Sequence, residues 1–238
     1  MSVIQTIRQN TRKNTATVTE IERFGDGMRR ITTHIEHPLA GWTPGQAIGV
    51  MVDPDGDGLR DRWRHYTVRH HDAATGTLQL VVVDRDDSSP AGRWMSGLDV
   101  DSTFTFMGPG GNPKLTPGAS HYVFVGDRTS VASIGSMVDA LSGATPTIDV
   151  VIATPDPANA DLGTVEQTPV RWLAAESADE VRSATLDALP DRVPADARAY
   201  VTGELEMMRE VRSELTRRGL SKRSIGCHAH WTPSRRGM

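Results

Sequence analysis

The chain has 238 residues, 37% of them hydrophobic, and a net charge of −4. This suffices for one large apolar core or two small ones and argues against wholesale nucleic-acid binding. No apolar run approaches the roughly 20 residues of a membrane helix, so neither nucleic acid nor membrane is an expected partner. The single cysteine, Cys227, excludes an internal disulfide framework and fits a reducing compartment. Met1–Thr19 is polar and lacks the apolar centre of a signal peptide, so the expected location is cytoplasmic.

The first half alternates like half-buried strands. Ala16 to Phe24 and Arg30 to His34 have period two, with Gly25-Asp26-Gly27 turning between them. Further strands are expected over Ala47 to Val52, Tyr66 to His70, Thr77 to Val83 and Thr103 to Phe106. Asp53 to Gly58 reads as a loop, and Asp72 to Gly76 as a tight connection. Many short strands with turn signals predict an antiparallel barrel. Gly108 to Pro113 and Thr116-Pro117-Gly118 mark its end, which places a domain boundary at Gly118: residues 1–118, then 119–238.

The second half changes rhythm. Strands are expected over His121 to Val125, Ile148 to Ala153, Val170 to Leu173, Ala199 to Thr202 and Ile225 to Trp231. Between them lie helical patterns: Thr129 to Leu141, with Val131, Ile134, Val138 and Leu141 on one face; Asp179 to Leu189; and Glu204 to Arg218, with Leu205, Met208, Val211 and Leu215 inward. Strand and helix in alternation predict a doubly wound parallel sheet. The fold class is therefore α/β with two domains.

Arg64-His65-Tyr66-Thr67 carries the first chemical signal. Alternation puts Arg64 and Tyr66 on one strand face and Thr67 on the other. A guanidinium fork matches phosphate oxygens, and a tyrosine ring can stack on a flavin. Alone, the four residues read equally well as a barrel strand with a core tyrosine. Pro90-Ala91-Gly92-Arg93-Trp94 adds a short helix start, capped by Ser88 or Ser89, whose N–H groups suit an anion. Val125 to Ser130 and Val201 to Glu204 are strand ends running into helices, where a doubly wound sheet presents ligands. Neither is a G-x-G-x-x-G dinucleotide fingerprint.

Between Thr216 and Met238 there is no acidic residue, yet there are Arg217, Arg218, Lys222, Arg223, Arg235 and Arg236, with His228 and His230. This is either an anion-facing patch or a solvated terminus. On a strand, His228 and His230 share one face and Cys227 the other, so too few ligands converge for a closed metal site. No metal is expected, and Cys227 reads as a small buried apolar residue.

Taken in order, these motifs resemble the ferredoxin-NADP reductase superfamily, and within it the siderophore-interacting proteins, FAD-containing ferric-siderophore reductases. Pro44-Gly45-Gln46 and the Gly203 to Leu215 segment fit the superfamily. The finer match rests on Arg64, Tyr66, Thr67 and Arg69; Pro90 to Trp94; Gly126, Asp127 and Thr129; Val170, Trp172 and Leu173; Val201, Gly203 and Glu204; and Trp231, Arg236 and Gly237. The resemblance implies an FAD-binding barrel followed by an NAD(P)-binding-like α/β domain. It implies FAD contacts from Arg64, His65, Tyr66, Thr67, Val68, Arg69, Val83, Asp84, Pro90, Ala91, Gly92, Arg93, Trp94 and Trp231. Tyr66 and Thr67 would lie at the reacting ring. Gly126, Asp127, Thr129, Gly203 and Glu204 would border the nucleotide site. Lys222, Arg223, His230, Arg235 and Arg236 would face an anionic ferric siderophore or the 2′-phosphate of NADPH. Two positions depart from the family: a lysine common in the strand before the flavin motif is absent around Gly49, and Asp84-Arg85 replaces a histidine-glycine pair.

The implied reaction passes electrons from NADPH or NADH, or from a ferredoxin, through FAD to Fe(III). A general NAD(P)H:flavin or ferredoxin-type reductase is the second reading. A flavin-holding siderophore-binding module without turnover is the third.

Overall fold

The computed structural model describes residues 12–84, 88–111, 113–143, 146–164 and 168–233. It divides into two compact units, 1–111 and 112–238.

The first unit is a closed antiparallel barrel of β1 (Asn14–Phe24), β2 (Met28–Ile35), β3 (Ala47–Met51), β4 (Trp63–Asp72), β5 (Thr77–Val83) and β6 (Thr103–Gly110), in the order β1-β2-β5-β4-β3-β6. Closure pairs β6 with β1 and with β3, so no strand edge is left open. Alternate residues point inward, and Ile31, Ile48, Val50, Val68, Leu78, Leu80 and Phe106 are wholly buried. Two short helices decorate it: α1 (Leu59–Arg62), which periodicity did not foresee, and α2 (Pro90–Ser96). β6 runs beyond the expected Phe106 through Gly108-Pro109-Gly110, because Gly110 still pairs with Ala47.

The second unit is a five-stranded parallel sheet, ordered β11-β10-β7-β8-β9. Its strands are β7 (His121–Asp127), β8 (Thr147–Thr154), β9 (Val170–Ala174), β10 (Arg198–Glu204) and β11 (Ile225–Trp231). All seven residues of β7 are buried, as befits a central strand covered on both faces. Its helices are α3 (Val131–Asp139), α4 (Ala178–Asp187) and α5 (Leu205–Arg217). A capping box of Ser177 and Glu180 starts α4. Met207, Val211 and Leu215 place one stripe of α5 in the core.

The division into units falls at Gly111, and residues 116–119 bond into the second unit: Thr116 N–H donates to Tyr200 Oη at 2.7 Å, and Ala119 N–H to Tyr122 Oη at 3.2 Å. One expectation is revised. Helix α3 has no single apolar face, since Val131 to Val138 are all buried. Small residues permit this, and the hydroxyls of Ser133 and Ser136 donate back to Ser130 O and Ser133 O, each at 2.9 Å.

Candidate functional site

In the first unit, β4 holds the whole Arg64–Arg69 motif. Arg64 and Tyr66 are half-buried on the side that leads to buried Val68, while His65 is exposed. Arg64 Nη1 donates to Trp63 O at 3.0 Å, which leaves the rest of the guanidinium fork for a ligand. Thr67 pairs with Ala47 and His65 with Gly49, so on the face of Thr67 and His65 the β3 side carries only small side chains, while Tyr66 and Arg64 pair with Ile48 and Val50. A Cβ at Gly49 would lie 3.7 Å from both the Trp63 and His65 rings. Gly49, in the stretch where the resemblance led a lysine to be expected, is thus flanked by two aromatic side chains. Arg69 is buried.

Helix α2 begins as its sequence dictates. Ser89 Oγ accepts from Gly92 N–H at 3.1 Å, Pro90 sits in the first turn, and Ala91 and Gly92 are buried. This helix brings Trp94 onto Tyr66, with ring centroids 5.4 Å apart at 25°. Phe104 meets Trp94 edge-on at 5.5 Å. The Trp94 indole N–H is buried and has no acceptor among the described residues. A buried donor in that state costs on the order of 1–3 kcal/mol, and a ligand rich in ring nitrogens and carbonyls would satisfy it. Arg93 is exposed, 3.9 Å from the Asp53 carboxylate. Val83 closes β5 half-buried, and the next residue resolves one of the family departures. Asp84 ion-pairs with Arg29 at 3.1 Å, so its charge is answered within the protein. Arg29 gave no signal in the sequence; only the β2–β5 register brings it there.

In the second unit, three adjacent strand ends converge: Gly126-Asp127 of β7, Gly203-Glu204 of β10 and His230-Trp231 of β11. Asp127 is 2% exposed and is the hub. Its Oδ1 accepts from Thr129 N–H at 2.8 Å and from the Thr129 hydroxyl at 2.5 Å. Its Oδ2 accepts from Glu204 N–H at 2.8 Å and from Trp231 Nε1–H at 2.7 Å. Gly203 has φ +121°, and a Cβ there would lie 2.5 Å from Asp127 Oδ2. A Cβ on Gly126 would lie 2.5 Å from Ser130 Oγ, the hydroxyl that donates to Thr202 O at 2.8 Å.

Neighbouring residues on a strand normally point to opposite faces, yet His230 and Trp231 both reach this turn. An irregularity allows it: Gly203 pairs with Ala229 and Glu204 with Trp231, so His230 is the extra residue. His230 Nδ1 lies 3.1 Å from Thr129 Oγ1. The single Thr129 hydroxyl proton goes to Asp127, so His230 donates from Nδ1 and keeps a lone pair on Nε2. Burial lowers the His230 pKa to about 4, against the opposing pull of the Asp127 charge, and nearby His228 lowers it further. The ring is neutral at physiological pH.

The residues expected to face the substrate do not gather. Lys222 and Arg223 are exposed just before β11 begins, and His230 lies near its far end. At about 3.3 Å per residue the strand separates them by roughly 20 Å. Arg235 and Arg236 lie outside the described residues. Cys227 packs against the apolar layer of α5, and burial raises its thiol pKa.

Comparison with known proteins follows this division. Residues 53–113 match the siderophore-interacting FAD-binding domain, and residues 119–234 match the siderophore-interacting protein model. The ferric vibriobactin reductase ViuB of Vibrio cholerae is 26% identical over 175 residues, covering 68% of this chain and 64% of its own. The match therefore spans just under two thirds of that relative's length. The siderophore-interacting protein of Acinetobacter baumannii superposes with a TM-score of 0.76 at 20% identity, covering 94% of this chain and 92% of that one. SipS of Aeromonas hydrophila gives 0.77 at 22% identity, with 94% and 93% covered. A cytochrome P450 reductase of Amycolatopsis, GcoB, gives 0.71 at 20% identity, with 94% and 71% covered. A barrel followed by a parallel α/β unit, carrying these motifs in this order, makes the chain a member of the siderophore-interacting protein family.

Proposed function

We propose that the protein is an FAD-dependent reductase that delivers electrons to Fe(III) held in a siderophore. The observation that carries this reading is the Tyr66–Trp94 stack beside Arg64, with the Trp94 indole N–H buried and unanswered. It joins the strand motif and the helix motif into one aromatic corner with a cation at its edge.

FAD, when bound, supplies the exchange between a two-electron donor and a one-electron acceptor. The residues of this chain hold and orient it. The free part of the Arg64 fork suits the pyrophosphate. Tyr66 provides a ring face, Trp94 a donor, and the Thr67 hydroxyl a hydrogen bond toward the reacting edge. No side chain is required as acid, base or nucleophile. The donor is NADPH or NADH, or a ferredoxin in its place. Ferrous iron suits hard oxygen ligands less well than ferric iron, so reduction loosens the chelate. Arg235 and Arg236, which follow Trp231 in sequence, supply the charge that attracts an anionic chelate, while Lys222 and Arg223 lie at the other end of β11.

The roofed Gly49 favours a second reading, a general NAD(P)H:flavin or ferredoxin-type reductase with a weaker siderophore grip. One experiment separates the readings. Purified protein is assayed for FAD content, then for NAD(P)H-driven Fe(II) release from ferric siderophores against rates with free flavin and ferredoxin. Arg64→Ala should lose most of its FAD. Ferric-siderophore rates no higher than those of free FAD would refute the leading reading.

A further inference from the structure

The start of a helix after a central parallel strand is where an α/β sheet ordinarily receives a phosphate, because its free N–H groups and dipole favour an anion. The second unit has two such places side by side, after β7 and after β10. At the first, Thr129 N–H and the Thr129 hydroxyl both donate to Asp127 Oδ1. At the second, Glu204 N–H crosses to Asp127 Oδ2 at 2.8 Å, and Met207 N–H donates to Glu204 Oε2 at 2.7 Å. Trp231 Nε1–H supplies the fourth bond to Asp127. Both carboxylates are almost wholly buried, at 2% and 1% exposure. Nor do the two glycines open the backbone to a ligand: the space a Cβ would take is already filled by Asp127 at Gly203, and by Ser130 and Thr202 O at Gly126. Beside the turn, His230 offers only an uncharged lone pair on Nε2, which does not attract phosphate oxygens.

We propose that Asp127 is the chain's own anion in the phosphate seat, a specificity-determining residue that excludes nucleotide phosphates from the β7 and β10 turns. An arriving phosphate meets two desolvated carboxylates and finds the Thr129, Glu204 and Met207 N–H donors already spent, so both repulsion and lost hydrogen bonds oppose it. The inference rests on the reductase reading of this site. Under it, a dinucleotide donor has its phosphates held by side-chain cations elsewhere, and Gly126, Asp127, Thr129, Gly203 and Glu204 act as scaffold rather than as nucleotide contacts.

The test uses the FAD-loaded full chain, with ADP and inorganic pyrophosphate as probes. In the native protein, the backbone amide resonances of Thr129 and Glu204 should stay in place through millimolar additions of either probe. Asp127→Ser removes the charge while leaving the donors in place, and it should bind ADP about tenfold more tightly or better, increasingly so at low salt. Saturable shifts of the Thr129 and Glu204 amides in the native protein would overturn the proposal, as would unchanged ADP affinity in a folded Asp127→Ser. The native-protein measurement decides even if the variant does not fold. Failure of the reductase reading shows itself separately, as flavin that no reduced nicotinamide or ferredoxin bleaches, because the titration involves no electron transfer.

Discussion

Gly203→Ala tests the hub of the second unit with a single methyl group. Gly203 sits at φ +121°, where an L side chain is strained by about 1–3 kcal/mol. The new Cβ would also lie 2.5 Å from Asp127 Oδ2 and 2.7 Å from its Cγ, so the carboxylate must move. It has no room to move freely, being 2% exposed and bonded to Thr129, Glu204 and Trp231. Loss of even one charge-assisted bond adds about 1.5–3 kcal/mol, for a total cost of roughly 3–6 kcal/mol. Hydrogen exchange resolved over residues 121–141 and 198–217 localises the loss, and urea unfolding measures it. Gly110→Ala is the control: a Cβ there meets nothing within 4 Å, and the cost should stay within about 1 kcal/mol. In an Asp127→Ser background the clash disappears, so Gly203→Ala should cost only the backbone strain. If it costs less than about 1 kcal/mol in the native background, the carboxylate is not fixed as described.

Further perturbations probe other elements. His230 is neutral when folded, with its pKa lowered to about 4, whereas an unfolded histidine titrates near 6.5. The unfolded chain therefore binds the extra proton between those values, and stability should fall as pH drops from 6.5 toward 4, by on the order of 2 kcal/mol after allowance for partial exposure. His230→Asn should flatten that slope in urea titrations across pH; an unaltered slope contradicts the assignment. Trp94→Phe removes a donor that has no acceptor, so thermal unfolding of the FAD-free protein should show no loss beyond about 1 kcal/mol, while fluorescence titration shows FAD binding weakened about tenfold. Ser89→Ala removes the cap of α2 and should cost about 1 kcal/mol in urea unfolding; no loss would mean the cap carries no weight. The Cys227 thiol, raised by burial, should react with a thiol reagent far more slowly in folded than in unfolded protein.

Much of this fold was legible because its signals are local. Strand patterning located all six barrel strands to within about four residues at each end, and the strand over Ile225–Trp231 agrees at both ends. Ser88-Ser89-Pro90 announced a helix start, and Ser89 is the residue that caps it. Hidden features depended on pairing between distant residues. Nothing near Asp84 names Arg29 as its partner. The partners of Asp127 are hidden in the same way, because only the bulge at His230 turns both His230 and Trp231 toward its turn. Lys222 and Arg223 group with His230 by sequence distance, yet an extended strand carries them apart. Helix α3 misled through its small residues, whose serine hydroxyls return to the backbone and allow burial on every side.

The visible spectrum of the purified protein, followed anaerobically through two additions, decides whether it carries and uses a flavin. The purified protein should be yellow with an oxidised-flavin spectrum, bleached by NADPH, NADH or a reduced ferredoxin. The colour should then return on addition of a ferric siderophore, with Fe(II) trapped by a ferrous chelator, and Arg64→Ala should purify largely colourless. A native protein that stays colourless when soaked in FAD, or whose reduced flavin a ferric siderophore does not reoxidise, would contradict the proposed function.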